Sequence, residues 1–117
     1  MRQIFVCRLI FNTNKEKKFQ NLFNNFVDKV FLGVPISERT HQRYWKDPNK
    51  ILCEFNFIIE ASSNELFLKS YLILLLKISN IWDINFASQI RSDLIINSAV
   101  CQNTNIVGID WINIETK

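Results

Sequence analysis

The first apolar segment of the chain has no helical period. Residues 2–12 are rich in Ile, Phe, Val and Leu, and apolar side chains occupy both odd and even positions. A strand that is apolar on both faces is typical of a central position in a sheet. Arg8 interrupts the run, and we expect it near one end of the buried stretch. The pattern therefore predicts a central strand.

The next segment has the spacing of an amphipathic helix. Thr13 and Glu16 have the separation of a capping box, and Gly33 and Pro35 follow the last apolar position. Between these signals, seven apolar residues recur at intervals of three and four: Phe19, Leu22, Phe23, Phe26, Val27, Val30 and Phe31. One continuous apolar stripe predicts a helix that packs one face on a core and turns its lysines to solvent.

Two segments on either side of a turn signal predict a β-hairpin. Residues 38–46 are mostly polar, whereas residues 51–60 alternate between an apolar face and a mixed face. Residues 47–50 (Asp-Pro-Asn-Lys) separate the two arms and combine residue types that favour turns. We expect the polar arm to be an edge strand, because its charges would protect an exposed edge from pairing with other chains.

A second helix is predicted after the hairpin. Ser62 and Glu65 again have capping-box spacing. Residues 66–79 are apolar on most of the helical circumference, which predicts a helix lying deep against the sheet.

The C-terminal third contains three short segments with strand character. Residues 82–87 alternate as a strand, and residues 93–100 fit either a strand or a short helix. The last segment, residues 106–115, is predicted to be a strand with Val107, Ile109 and Trp111 on one face. A polar stretch between the last two segments favours a terminal hairpin.

The predicted order of elements is β-α-β-β-α-β followed by about two more β segments. This is the order of the ferredoxin-like plait, an α+β fold in which two helices cover one face of an antiparallel sheet. The two last segments are expected to be a C-terminal β extension of that plait. A chain of 117 residues has room for one hydrophobic core, so we expect a single domain over residues 1–117.

Charge is distributed unevenly along the chain. The net charge is +3, but residues 1–50 hold ten Lys and Arg against four Asp and Glu, whereas residues 51–117 hold four against seven. A basic half can attract an acidic protein or a phosphate backbone. The simpler interpretation is that the lysines of the first helix solvate its outer face.

Residues for common catalytic and cofactor sites are scarce. The two glycines stand alone, which argues against phosphate-binding and dinucleotide-binding loops. His41 is the single histidine, and Cys7, Cys53 and Cys101 are widely spaced, which argues against a zinc site. We therefore expect no enzymatic activity, no metal, no cofactor and no small-molecule ligand.

The same residues bear on the compartment. Unpaired thiols among apolar neighbours are typical of the reducing cytoplasm. The N-terminal apolar run is broken by Arg8 and is followed by no small-residue cleavage site, and residues 66–78 contain two lysines and are too short to span a bilayer. We expect a cytoplasmic protein that is neither secreted nor inserted in a membrane.

One polar stretch is not explained by packing. The candidate partner-binding residues in it are Arg39, His41, Arg43, Tyr44, Trp45, Lys46 and Asp47. If the stretch is a strand, Arg39, His41, Arg43 and Trp45 share one face. Arg, Tyr and Trp are enriched at interface hot spots, and such residues also stack on single-stranded bases. Three interpretations are open: a solvated edge strand, a protein interface and a nucleic-acid surface.

The chain resembles bacterial polymorphic-toxin immunity proteins, including those of contact-dependent growth inhibition systems. The resemblance is carried by a small α/β domain without a catalytic constellation, by Trp82-Asp83, by residues 110–114 (Asp-Trp-Ile-Asn-Ile) and by a composition rich in Asn, Ile and Lys. It implies a non-enzymatic cytoplasmic protein that binds and neutralises a cognate toxin domain. The alternative, from the charge distribution, is a small nucleic-acid-binding plait that uses the basic N-terminal half.

Overall fold

The computed structural model describes residues 1–91 and 94–117, of which residues 87–91 and 94–95 are described by their backbone alone. Within these residues, the order of strands and helices along the chain is the predicted one. The elements are β1 (Arg2–Phe11), α1 (Glu16–Val30), β2 (Ile36–Tyr44), β3 (Asp47–Glu60), α2 (Asn64–Leu76), β4 (Asp83–Arg91), β5 (Leu94–Cys101) and β6 (Ile109–Thr116). Residues 93–100, which fit either a strand or a short helix in the sequence, form strand β5 from Leu94 onward. Asp93 lies outside the described residues.

The fold is α+β, with one antiparallel sheet in the spatial order β2-β3-β1-β6-β5-β4. The prediction of a ferredoxin-like plait is wrong in the spatial order of the strands. In that plait the strand after the second helix lies beside β1, whereas here β6 lies beside β1 and β4 lies at the edge. Because β4, β5 and β6 are consecutive antiparallel neighbours, β6 runs in the same direction as β4 and can occupy its position. The two extra strands, β5 and β6, therefore lie between β1 and β4.

Both helices pack against one face of the sheet. The ring of Phe11 lies 4.9 Å from that of Phe19 in α1, and the ring of Phe5 lies 5.0 Å from that of Tyr71 in α2. Phe5 and Phe11 point to the same side of β1, because side chains an even number of positions apart in a strand share a face. We call this side the helix-covered side. Neither helix covers the opposite face of the sheet.

Helix α1 has the predicted apolar stripe but a different start. Five residues of that stripe are buried: Phe19, Phe23, Phe26 and Val30 within the helix, and Phe31 at its C-cap. The predicted capping box is wrong, because the N-cap is Lys15, whose side chain makes no capping hydrogen bond. Thr13 Oγ1 instead accepts a hydrogen bond from the Lys15 backbone N–H at 3.2 Å, within the loop that precedes Glu16. Packing of the stripe, rather than a cap, therefore stabilises α1.

Helix α2 is shorter and less buried than predicted. Its N-cap is Ser63, whose hydroxyl accepts a hydrogen bond from the Leu66 backbone N–H at 3.2 Å, so the predicted cap at Ser62 is wrong by one residue. Leu66 and Ile73 are 47% exposed and Leu76 is 60% exposed, so one apolar side of α2 faces outward. Among the described residues, no helix combines the length and the apolar character needed to cross a membrane.

The β2–β3 hairpin forms, but its turn lies two residues earlier than predicted. Tyr44 pairs with Asp47, so the turn consists of Trp45 and Lys46. The Asp47 carboxylate accepts a hydrogen bond from the Asn49 backbone N–H at 3.0 Å. The turn-favouring residues therefore form a local contact at the irregular start of β3. As predicted, β2 is an edge strand.

A register shift in β6 separates residues that were predicted to share a face. Ile109 pairs with Phe11 on the helix-covered side, whereas Trp111 pairs with Ile10 on the opposite side. A bulge of this kind sets two residues of one strand against one residue of its neighbour and reverses the alternation. Val107 precedes the strand and is 87% exposed. The predicted common face of these three residues is therefore wrong.

Candidate functional site

The face of the sheet opposite the helices is called the uncovered face. Ile4, Val6 and Ile10 of β1 point to it and are only partly buried, in contrast to the buried residues between them. Residues directly opposite each other in antiparallel strands lie on the same face. Ile10 therefore has Leu52 of β3 on one side and Trp111 of β6 on the other. These pairings place an apolar row across three neighbouring strands.

A concavity of about 500 Å³ lies over this apolar row. Its apolar and aromatic lining residues are Ile10, Leu52, Trp111 and Tyr44. Its charged lining residues are Arg8, Lys46, Asp47, Lys50 and Asp110. An apolar lining with a few polar groups is the general character of a ligand or side-chain binding site.

Ion pairs join different strands across the uncovered face. Lys50 Nζ on β3 lies 2.7 Å from Asp110 Oδ2 on β6, although β1 lies between these strands. The hydrogen bond to Asp110 raises the pKa of Lys50. Arg8 of β1 contacts Glu54 at 2.9 Å and Glu115 at 3.3 Å. The prediction that Arg8 lies near one end of a buried stretch is wrong, because it is paired with both neighbouring strands on the uncovered face.

Further polar contacts lie beyond the Arg8 cluster. Lys117 Nζ is 3.0 Å from Glu38 Oε2, and the Asn56 side-chain amide donates to the same oxygen. The hydrogen bond from Lys117 lowers the pKa of Glu38, and a hydrogen bond from Asn113 makes the largest contribution to lowering the pKa of Glu115. These acidic groups are therefore held in their ionised form by neighbours on the same face.

Charge differs between the two sides of the molecule. Apart from the facing pair Arg2 and Glu60 at the end of the sheet, the described side chains of the uncovered face include six acidic residues (Glu38, Asp47, Glu54, Asp83, Asp110 and Glu115) and four basic ones (Arg8, Lys46, Lys50 and Lys117). The described side chains of the helix-covered side include eight basic residues (Lys15, Lys17, Lys18, Lys29, Arg39, Arg43, Lys69 and Lys77) and three acidic ones (Glu16, Asp28 and Glu65). The basic excess of the N-terminal half therefore lies on the helix-covered side.

Two of the predicted binding residues pack against α1. The Arg39 guanidinium lies 4.8 Å from the centre of the Phe23 ring. The His41 ring lies 4.5 Å from that of Phe19, and its Nε2 is 2.8 Å from Glu16 Oε1. These contacts attach β2 to α1 on the helix-covered side.

The other predicted residues are divided between the two sides of the sheet. Three of them line the concavity: Tyr44, Lys46 and Asp47. Trp45 is 77% exposed at the turn, with its ring 6.1 Å from that of Tyr44 and 5.0 Å from Lys46 Nζ. Arg43 pairs with the core residue Ile51 and therefore points to the helix-covered side. The predicted stretch is thus brought together in part, at the hairpin end.

Sequence reasoning missed six lining residues that come from other positions: Arg8, Ile10, Lys50, Leu52, Asp110 and Trp111. The sequence contains one signal for them. Arg8 and Glu54 occupy even positions within residues 5–11 and 51–59, where all odd positions are apolar, and this marks the even side as partly exposed to water. The bulge in β6, which places Trp111 on that side, has no such signal.

The three cysteines do not line the concavity. Cys7, Cys53 and Cys101 are all buried thiols, and burial raises the pKa of Cys7 and of Cys53. In the part of the chain that the structure describes, no three His, Cys, Asp or Glu side chains are grouped closely enough to hold a metal ion.

Comparison with protein-family models, with curated proteins and with solved structures finds no match to this chain.

Proposed function

We propose that this chain is a non-enzymatic binding protein that holds a protein partner on its uncovered face. The concavity is the observation that supports this best, because Tyr44 and Trp111 present aromatic side chains there beside Ile10 and Leu52. Aromatic residues are enriched in protein interfaces and supply much of their binding energy. Trp45, exposed at the adjoining turn, extends the same surface.

The partner that we propose is a toxin domain, which this protein neutralises in the cytoplasm as immunity proteins do. The sequence resemblance suggests an immunity protein, and the charge of the uncovered face suggests the charge of its partner's surface. Its described side chains include six acidic and four basic residues, so a basic surface would be attracted to it. Toxins that cleave nucleic acid need basic surfaces to bind phosphates. A basic toxin domain occluded by the sheet is therefore the proposed target.

Co-expression with the product of the neighbouring gene tests this proposal. We expect that product to arrest growth, this chain to relieve the arrest, and the two chains to purify as a complex. Trp111→Ala should weaken the complex by roughly tenfold or more, because truncation of a central aromatic anchor typically has an effect of this size. The control is Leu76→Gln, which changes an exposed side chain of α2 on the helix-covered side and should leave the complex unchanged.

Two results would contradict the proposal in different ways. If the neighbouring product neither arrests growth nor binds this chain, the toxin assignment is wrong. If a complex forms and is weakened by Leu76→Gln but not by Trp111→Ala, the partner binds the helix-covered side and the proposed face is wrong.

Nucleic-acid binding is a second candidate, because eight basic and three acidic side chains lie on the described helix-covered side. Phosphates would then contact α1 and β2, and the sheet face would remain unused. Binding that neutralises several phosphates weakens strongly between about 50 and 200 mM salt. Titration of DNA and RNA at these two concentrations tests this candidate, and affinity that is absent or independent of salt excludes it.

A further inference from the structure

The concavity on the uncovered face has an apolar base. Leu52, Ile10 and Trp111 are direct cross-strand neighbours on β3, β1 and β6, and Tyr44 lines the side nearest the hairpin turn. Its volume of about 500 Å³ lies within the usual range of about 300–1,000 Å³ for pockets that enclose a small ligand. The concavity is therefore large enough to receive a large side chain.

The charged groups around this base already have partners. Lys50 Nζ is 2.7 Å from Asp110, and Arg8 is bound to Glu54 and Glu115. An ionised group that entered the concavity would lose its hydration and would have to displace one of these partners. The ion pairs therefore select against a charged occupant.

The remaining two charged lining residues are also engaged locally. Lys46 Nζ lies 5.0 Å from the centre of the Trp45 ring, and the Asp47 carboxylate accepts a hydrogen bond from the Asn49 backbone N–H. A neutral occupant leaves these contacts in place and removes apolar surface from water.

We propose that the concavity receives one neutral aromatic side chain of the protein partner, an inference that rests on the proposed binding function. Aromatic rings gain from offset or edge contacts with other rings, and Trp111 and Tyr44 supply two of them. The cations of Arg8 and Lys50 line the same concavity, and with their carboxylate partners in place they attract the face of a ring. An aliphatic side chain would gain burial but neither of these two contributions.

Titration of the ¹⁵N-labelled chain with amino-acid amides, followed by NMR, tests the inference without knowledge of the partner. The probes are N-acetyl-tryptophanamide, N-acetyl-leucinamide and the ionised N-acetyl-glutamate amide and N-acetyl-lysinamide. We expect the tryptophan probe to shift the Trp111 indole resonance and the amides of Ile10 and Leu52, with affinity about fivefold above that of the leucine probe. The ionised probes should leave these resonances unchanged.

Three variants sharpen the test. Trp111→Ala should weaken binding of the tryptophan probe by about tenfold, and Leu76→Gln on α2 should not change it. Asp110→Asn keeps the shape of the side chain but removes the partner charge of Lys50, so it should admit the glutamate probe that the unchanged protein rejects. The ¹⁵N spectrum of each variant shows at the same time whether the fold is kept.

The outcomes separate this inference from the proposed function. The inference is overturned if the tryptophan probe shifts no resonance around the concavity, or if the leucine or ionised probes shift them equally. If a toxin complex forms through the uncovered face although the tryptophan probe does not bind, the proposed function stands and the aromatic anchor is wrong. If the probe binds as expected but no toxin partner exists, the anchor stands and the toxin assignment is wrong.

Discussion

At the scale of single residues, the thiol of Cys53 makes the free energy of unfolding depend on pH in the alkaline range. Its side chain is fully buried, and burial raises its pKa to about 12. In the unfolded chain the same thiol has a pKa of about 8.5. Because the folded-state pKa is the higher one, its contribution to stability is complete below about pH 8.5. The contribution then falls by about 1.4 kcal/mol per pH unit as the pH rises toward 12.

Replacement of Cys53 by Ala should therefore cost less at high pH than at neutral pH. At pH 7 the variant loses only packing, so its free energy of unfolding lies below that of the unchanged protein. We expect this difference to shrink by about 1.4 kcal/mol for each pH unit above 9. Urea unfolding of both proteins at several pH values, in the presence of a reductant, measures it. If the difference in free energy of unfolding between the two proteins is the same at every pH, the pKa of Cys53 is not raised by folding.

Burial of the cysteines was predictable from the sequence, whereas the contacts of Arg39 and His41 within the fold were not. Cys7 and Cys53 stand at odd positions within residues 5–11 and 51–59, where all odd positions are apolar, and both are buried. Arg39 and His41 were predicted as binding residues, but they lie against Phe19 on α1. Long and aromatic polar side chains can cover apolar surface with their stems or rings, so residue type alone does not separate a contact within the fold from a contact with a partner.

At the scale of elements, only one of two neighbouring serines caps the N-terminus of α2. The Ser63 hydroxyl accepts a hydrogen bond from the Leu66 backbone N–H, whereas the sequence pattern favoured Ser62 as the cap. Loss of an N-cap side chain typically costs about 1 kcal/mol. We expect Ser63→Ala to lower the free energy of unfolding by that amount and Ser62→Ala to leave it nearly unchanged. Thermal unfolding of the two variants checks this, and equal losses would refute the assigned cap.

Elements with a strong period were predicted well, and their ends were not. The stripe from Phe19 to Val30 determined α1 because one buried face is enough to define a helix. In the last part of α2, residues 72–76 are all apolar, so the sequence could not show that Leu76 faces outward while Leu75 is buried. The hairpin turn moved to Trp45 and Lys46 because pairing along β2 and β3 outweighed the local turn preference of residues 47–50.

At the scale of the whole molecule, the face pattern of β3 was predictable, whereas the bulge in β6 and the strand order were not. Alternation shows which side of a strand is buried, and it is the same whichever neighbour the strand has. The burial of side chains reflects the observed order: Ile112 and Ile114 are buried in the central strand β6, whereas Phe86 in the edge strand β4 is 57% exposed. The candidate site needs this order, because Trp111 reaches Ile10 only when β6 pairs with β1.

The separation of charge between the two sides is also a property of the whole molecule. Net charge alone describes a mildly basic protein, yet the described helix-covered side has an excess of five basic residues and the uncovered face an excess of two acidic ones. A polyanion should therefore bind α1 and its surroundings, and a basic protein should approach the sheet. The two candidate functions consequently use opposite sides of the molecule.

Retention on heparin measures this separation directly. The double variant Lys17→Glu with Lys18→Glu changes two exposed residues in the first turn of α1, where acidic side chains stabilise a helix. It reduces the excess of basic over acidic residues on the helix-covered side from five to one. Lys46→Glu with Lys117→Glu changes the net charge of the protein by the same amount on the uncovered face. We expect the first pair to elute at clearly lower salt than the unchanged protein and the second pair to elute close to it, because heparin contacts the side with the basic excess. Equal shifts for both pairs would show that retention follows net charge, and the two sides would then not be electrostatically distinct.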